Sequence, residues 1–153
     1  MKTRTIVLSL ALCFAAGAVC FASPQMGTWK LNEAKSKLAP GMPKNNTVVY
    51  EAAGGNVKVT VDGTDKAGKP THNEWTGKFD GKYYPVTGDP TSDARSYKTV
   101  DPHTMELTVK KHGKVTASGR IVVAADGKTR TITLSGTDPQ GKKFKSAAVY
   151  DKK

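Results

Sequence analysis

The segment TMELTVKKHGKVTASGRIVV, residues 104–123, decides the fold of this chain. Apolar residues occupy every second position in both of its halves, with a Gly113-Lys114 step between them. The apolar positions are Met105, Leu107, Val109, Val115, Ala117, Ile121 and Val123. A period of two places these side chains on one face of a strand, and the glycine step is typical of a tight turn. The segment therefore predicts a β-hairpin with one buried face.

The same pattern continues along the chain. Gly-Lys steps begin at Gly68, Gly81, Gly113, Gly127 and Gly141, and the last three are spaced 14 residues apart. The stretches between turns are rich in Val, Thr and Tyr, which favour strands. The predicted strands are 27–32, 46–53, 57–61, 71–79, 83–87, 94–100, 104–110, 115–123, 129–136 and 144–150. Consecutive strands without crossover helices predict an all-β, antiparallel up-and-down meander, and closing it into an 8–10-stranded barrel removes its edges.

The first 22 residues predict an export signal. Lys2 and Arg4 precede an uncharged apolar run, and small residues stand before a cleavage point after Ala22. The alternative is lipid attachment at Cys20. We expect a periplasmic or secreted protein in which residues 23–153 form one domain. Both cysteines lie in the leader and nothing later resembles a transmembrane segment, so disulfides and thiolate chemistry are not expected in the mature chain.

Composition and motifs favour a protein without catalysis. The formal charge of +11 falls to +9 without Lys2 and Arg4, and its lysines are spread over every strand rather than clustered for nucleic acid. The spacing of His72, His103 and His112 does not suit a metal site, and we expect solvated histidines. No nucleophile elbow or nucleotide-binding loop occurs. We therefore expect no catalytic residues, metal, cofactor or nucleic-acid partner, and a monomeric state.

Two short segments resemble known barrel families. Gly27-Thr28-Trp29-Lys30-Leu31 resembles the Gly-x-Trp opening of lipocalins and the start of intracellular fatty-acid-binding proteins. Ala148-Val149-Tyr150-Asp151-Lys152 resembles the last strand of the fatty-acid binders. Together they resemble the calycin group of ligand-binding barrels. Residues 27–152 as a whole resemble small exported bacterial lipocalin-like proteins of unassigned function, for example in Trp29–Asn32, Ala34–Ser36 and Tyr84–Gly88.

The resemblance implies a ligand site that this chain alters. Fatty-acid binders hold the ligand carboxylate with an Arg-x-Tyr pair in the last strand, whereas here Ala148 stands at the arginine position and only Tyr150 remains. Arg95 or Arg130 could replace the missing arginine from another strand. The alternative for Arg130 is a salt bridge at the rim or a guanidinium packed over Trp29.

Two functions follow as hypotheses. In the first, Trp75, Tyr97 and Tyr150 line a cavity for a small, partly apolar or anionic ligand, with Arg95 or Arg130 supplying charge, while Gly27 and Trp29 are structural. In the second, the barrel is filled and its cationic exterior contacts anionic envelope polymers. An enzyme is a third class that only fold analogy supports. A cavity of a few hundred Å³ favours the first hypothesis, and a filled interior favours the second.

Overall fold

The computed structural model describes residues 23–153. The predicted leader, 1–22, with Cys13 and Cys20, lies outside the described residues. Within them, no helix is long and apolar enough to cross a bilayer.

The described chain forms ten strands and one short helix. The strands are β1 Gly27–Leu31, β2 Lys44–Ala53, β3 Asn56–Thr64, β4 Pro70–Gly77, β5 Asp80–Thr87, β6 Ala94–Asp101, β7 Thr104–Lys111, β8 Lys114–Val123, β9 Thr129–Thr137 and β10 Lys143–Lys152. A single 3-10 turn, Glu33–Lys35, follows β1. Asn32 caps it, accepting a hydrogen bond from the Lys35 N–H through its side chain.

All ten strands join in one antiparallel sheet that closes on itself. Each strand pairs with its neighbours in the chain, and β1 pairs with β10 to complete the ring. The predicted meander and closed barrel are confirmed. The β9–β10 ladder has nine residue pairs, whereas β4 and β5 share two and β1 and β10 share three.

The up-and-down order gives the barrel two distinct ends. β1 starts at the end where the β2–β3, β4–β5, β6–β7 and β8–β9 turns lie, and we call this the Trp29 end. The other five connections lie at the opposite end, called the Asp89 end after the residue in its β5–β6 loop. Because strands alternate in direction, Arg130 at the start of β9 is close to the Trp29 end.

The barrel core consists mainly of aromatic and β-branched side chains. Trp29, Val59 and Ile121 have no exposed surface, and Trp75 is 1% exposed. These residues occupy the alternate positions that the sequence pattern places on one face of each strand. Together with the other buried apolar residues they form one hydrophobic cluster.

Glycines permit unusually close contact between neighbouring strands on one side of the barrel. A Cβ at Gly119 on β8 would overlap the carbonyl oxygen of Thr133 on β9, and one at Gly136 would overlap that of Thr116. Neither glycine has a positive φ. The requirement at these two positions is therefore one of space.

Candidate functional site

Arg130 is the charged group at the centre of the candidate site. It points into the barrel from β9, is 1% exposed, and is the cross-strand partner of Tyr150 on β10. Its Cζ lies 4.7 Å from the ring centres of Trp29 and Tyr50 and 5.1 Å from that of Tyr150. Three aromatic rings thus surround one guanidinium, an arrangement that stabilises a cation through ring quadrupoles. We call these four residues the Arg130 cage.

The guanidinium of Arg130 has no hydrogen-bonding partner in the described chain. Within residues 23–153, its Nε, Nη1 and Nη2 are all buried and unpaired, as is Oε1 of Gln25. A guanidinium carries five N–H donors, and leaving buried donors unpaired is unfavourable. The cage therefore holds a buried positive charge with unused donors, which is the complement of a small anion.

Trp29 is fixed in place by the segment that precedes β1. Its Nε1 donates a 2.9 Å hydrogen bond to the carbonyl of Gln25, whose side-chain amide donates to the carbonyl of His103 at 3.1 Å. Lys152 Nζ lies 5.1 Å from the Trp29 ring centre. Gly27, the other predicted structural residue, has φ of +107°, and a Cβ there would lie 3.1 Å from the Lys152 side chain. These contacts close the Trp29 end of the barrel.

Arg95, the second candidate arginine, is neutralised by the protein itself. Its Nη2 donates a 2.6 Å hydrogen bond to Oδ2 of Asp89, and both side chains are largely buried. Burial alone would raise the pKa of Asp89, but hydrogen bonds from Ser92 and Thr91 and the charge of Arg95 outweigh it and hold that pKa below its usual value. Arg95 lies near the Asp89 end, away from the cage, so the two arginines do not form one site.

Trp75 and Tyr97 belong to a packed aromatic cluster. Their ring centres are 4.7 Å apart, and Phe79 stacks on Trp75 at 6.3 Å. The Trp75 Nε1 donates a 3.1 Å hydrogen bond to the carbonyl of Arg95. Tyr50 lies 6.3 Å from Tyr97, which links this cluster to the Arg130 cage. On the β2–β6 side of the barrel, then, the predicted ligand-lining residues pack against one another as core.

Partly buried apolar side chains follow Arg130 along β9 and β10. Ile132 and Leu134 follow Arg130 at alternate positions of β9, Ala148 pairs with Ile132 from β10, and all three are only partly buried against the core. Phe144 continues the same face of β10 to the Asp89 end. At about 3.3 Å per residue, the distance from Leu134 to Arg130 is about 13 Å. We call Ile132, Leu134 and Ala148 the apolar track.

The phenols of this region are held in their neutral form. Burial raises the pKa of Tyr150 to about 12, although the charge of Arg130 opposes this. Burial likewise raises the pKa of Tyr97 well above its ordinary value. The Tyr150 hydroxyl donates a 3.0 Å hydrogen bond to the carbonyl of Asn45. At neutral pH neither Tyr150 nor Tyr97 therefore carries a negative charge that could balance Arg130.

Some interior residues were not predicted from the sequence. The strand pattern predicts the aromatic side chains of Trp75, Phe79, Tyr83, Tyr97 and Tyr150 for the interior or the mouth. In the structure Tyr50 is buried, and Tyr84 is partly buried against the core, 5.7 Å from Trp75. The prediction is wrong for Tyr83, which is 41% exposed, under Lys110 Nζ at 3.6 Å. A register shift between Asp80 and Tyr83 reverses which side chains of β5 face inward.

The histidines do not come together. His72 is exposed on β4, with Nδ1 2.7 Å from Asp62 Oδ1, and the hydrogen bond to Asp62 is the main cause of its raised pKa. His103 departs from the expected solvated state, because it is partly buried and its Nδ1 has no partner within residues 23–153. No group of three or more potential metal-ligating side chains occurs in that same range.

Comparisons with known proteins identify no family for this chain. No protein-family model matches the sequence, and no curated protein matches it. Among solved structures, the chain is similar to one described as EF1p2_mFAP2b bound to DFHBI, with 10% identity and a TM-score of 0.48 over 85% of this chain and 94% of that one. At this identity and score, the likeness says nothing about what the present chain binds. What is shown is a ten-stranded antiparallel β-barrel.

Proposed function

We propose that this protein is an exported, lipocalin-like barrel that binds a small ligand with an anionic group and an apolar body, without catalysing a reaction. The observation that carries the proposal is Arg130: a buried guanidinium, faced by three aromatic rings, without a hydrogen-bond acceptor in residues 23–153. The anionic group pairs with Arg130, and the apolar body lies along the apolar track.

The placement of Arg130 supports this assignment over Arg95. Arg130 stands directly across from Tyr150, so an arginine and a tyrosine face the interior side by side although they are on different strands. The Arg-x-Tyr pair of fatty-acid binders has the same two groups on one strand. Arg95 already has Asp89 as its partner, and a ligand anion would have to displace that carboxylate.

The proposal includes the location and state of the protein. The basic, then apolar, N-terminal segment supports cleavage near Ala22 and a periplasmic or secreted location. The protein is proposed to act as a monomer. A ligand enters from the Asp89 end, because the segment from Ser23 to Met26 closes the Trp29 end. The packed aromatic cluster on the β2–β6 side favours a ligand that is narrow and confined to the β9–β10 side.

A fluorescence titration tests the proposal. We expect anilinonaphthalene sulfonate, an anionic apolar dye, to bind saturably with roughly micromolar affinity, about −8 kcal/mol. Arg130→Met should weaken this binding at least about tenfold, which corresponds to about 1.4 kcal/mol. The uncharged analogue N-phenylnaphthylamine should bind the variant no more weakly than the wild type, because it makes no ion pair.

The control variant removes one positive charge from a solvent-exposed position near Arg130 in the sequence. Lys128→Gln lies two residues from Arg130 but is exposed in the β8–β9 turn, and it should leave both affinities unchanged. Lack of saturable binding by the wild type would contradict the proposal. So would an equal effect of Arg130→Met on the charged and uncharged dyes, since that would mean a general disturbance of the barrel.

A further inference from the structure

A second feature lies on the wall formed by β8, β9 and β10, where its polar residues occupy the outward-facing positions of the strands. There the wall forms a depression of about 160 Å³. The residues around it are Ser118, Gly119, Arg120, Thr133, Leu134, Ser135 and Lys145. We call this depression the outer groove.

The sheet register brings the polar groups of the outer groove together. One row of cross-strand partners on three adjacent strands consists of Ser118, Ser135 and Lys145. The next row on the same face contains Arg120 and its partner Thr133. Neighbouring strands are about 4.8 Å apart, so the first row spans about 10 Å. The close contact of Gly119 with the Thr133 carbonyl lies between the two rows. Side chains from three strands thus converge on one concave surface.

Every polar side chain in the outer groove can donate a hydrogen bond, and none is a carboxylate. Arg120 Nη2 has only a long, exposed contact of 3.4 Å with Glu106. Lys145 makes no salt bridge among residues 23–153. Exposed ion pairs of this kind contribute little, so both cations are available to another partner. Hydroxyl, guanidinium and ammonium donors around one depression are suited to an oxyanion.

We propose that the outer groove binds the phosphate groups of an anionic polymer outside the barrel. A phosphodiester offers several acceptor oxygens in different directions, which suits donors converging from three strands better than the planar pair of a carboxylate does. No aromatic ring lines the groove, so the stacking that holds single-stranded nucleic acid is missing among its lining residues. This site is independent of Arg130, which faces the other side of the same wall.

The test compares the groove with general attraction to a cationic protein. At physiological salt, the double variant Arg120→Gln/Lys145→Gln should bind inorganic polyphosphate at least about tenfold more weakly than the wild type, because two phosphate contacts are lost. The matched control Lys66→Gln/Lys69→Gln removes two exposed charges from the β3–β4 turn, far along the sheet. It should change the affinity less than about twofold.

Further measurements keep the outcome unambiguous. Polygalacturonate, whose charges are carboxylates, should bind the wild type more weakly than polyphosphate at the same concentration of anionic groups. In NMR titrations, polyphosphate should shift the amide signals of Ser118 and Ser135. Equal losses in the two double variants, or failure of the wild type to bind, would overturn the proposal, and equal binding of the two polymers would overturn the phosphate assignment. The groove variant should bind the naphthalene dye normally, which separates this proposal from that for Arg130.

Discussion

Replacing Arg130 by methionine should not destabilise the barrel, although the residue is almost completely buried. The reasoning compares two opposing contributions. Contacts of a desolvated cation with aromatic rings stabilise by up to about 2 kcal/mol each, and Arg130 has three such rings within 5.1 Å. Against this, each buried polar group without a partner costs about 1–3 kcal/mol, and all three guanidinium nitrogens are unpaired within the described chain.

The two contributions are of similar size, and burial of the charge itself adds to the unfavourable side. Methionine retains the apolar stem and its contact with the rings, worth about 0.3–1.5 kcal/mol for a sulfur near an aromatic ring. Replacing buried ionic groups by apolar ones of similar volume is often neutral or stabilising by about 1–4 kcal/mol. We therefore expect Arg130→Met to leave the free energy of unfolding unchanged or to raise it by about 1–3 kcal/mol.

Urea unfolding followed by tryptophan fluorescence provides the measurement, since Trp29 lies directly under the substituted side chain. The matched control is Arg95→Met, which leaves the buried carboxylate of Asp89 without its partner. That variant should lose about 3–5 kcal/mol. A loss of more than about 2 kcal/mol in Arg130→Met would refute the reasoning, because the cage would then be a net source of stability rather than a site prepared for an anion.

Three further results are expected. Gly119→Ala should lower the free energy of unfolding by at least about 2 kcal/mol, because its Cβ would overlap the Thr133 carbonyl. The control Gly55→Ala should change this free energy little, because nothing lies within 4 Å of its Cβ position. Similar values for the two variants would contradict the steric argument. Trp29→Ala should lose about 3–5 kcal/mol in urea unfolding, and a change below about 0.5 would show that Trp29 is not core. The pKa of Tyr150 is about 12 in the folded protein and 10.0 in the reference state, so its contribution to the free energy of unfolding is fully present below about pH 10 and is lost as the pH rises towards 12. Over this range the free energy of unfolding should fall by an amount on the order of 3 kcal/mol, and Tyr150→Phe should reduce this fall. An equally steep fall in that variant would count against the assignment.

The sequence was sufficient to predict the ten strands and the closed barrel. A period of two separates the two faces of a strand without any knowledge of its neighbours, as at Val57, Val59 and Val61. Turn glycines mark the ends of most strands, and an Asp-Pro-His turn marks the end of β6. Closure follows because an open meander of this length leaves two unpaired edges.

The contents of the interior could be predicted only in part. Alternation placed Arg130 on the same face as Ile132 and Leu134, but Tyr50 and Trp29 meet it through pairings between strands that are distant in sequence. Tyr84 rather than Tyr83 packs against the core because a local register shift changes which side chains of β5 face the interior. The composition of the strand does not reveal such a shift.

The ion pair between Asp89 and Arg95 could not be predicted from the sequence either. Asp89 stands in a glycine-proline turn, where an aspartate is expected to bond its own backbone, and it does accept from the Thr91 N–H. Its bond to Arg95 depends on the conformation of the β5–β6 loop, which is not readable from the local sequence. The space requirement at Gly119 also depends on the neighbouring strand, since its own backbone conformation is one that any residue can adopt.

The three-residue ladder between β1 and β10 has a consequence for how the chain acquires its structure. Strands β2 to β10 can each pair with the strand that precedes them in the chain. One edge of β1 pairs with β2, but its other edge is covered only when β10 is in place. Trp29 is on β1, and both Arg130 and Tyr150 arrive with the final two strands. Contacts of such long sequence separation form slowly. A chain that stops before Lys143 therefore has no partner strand for the edge of β1 that carries Trp29.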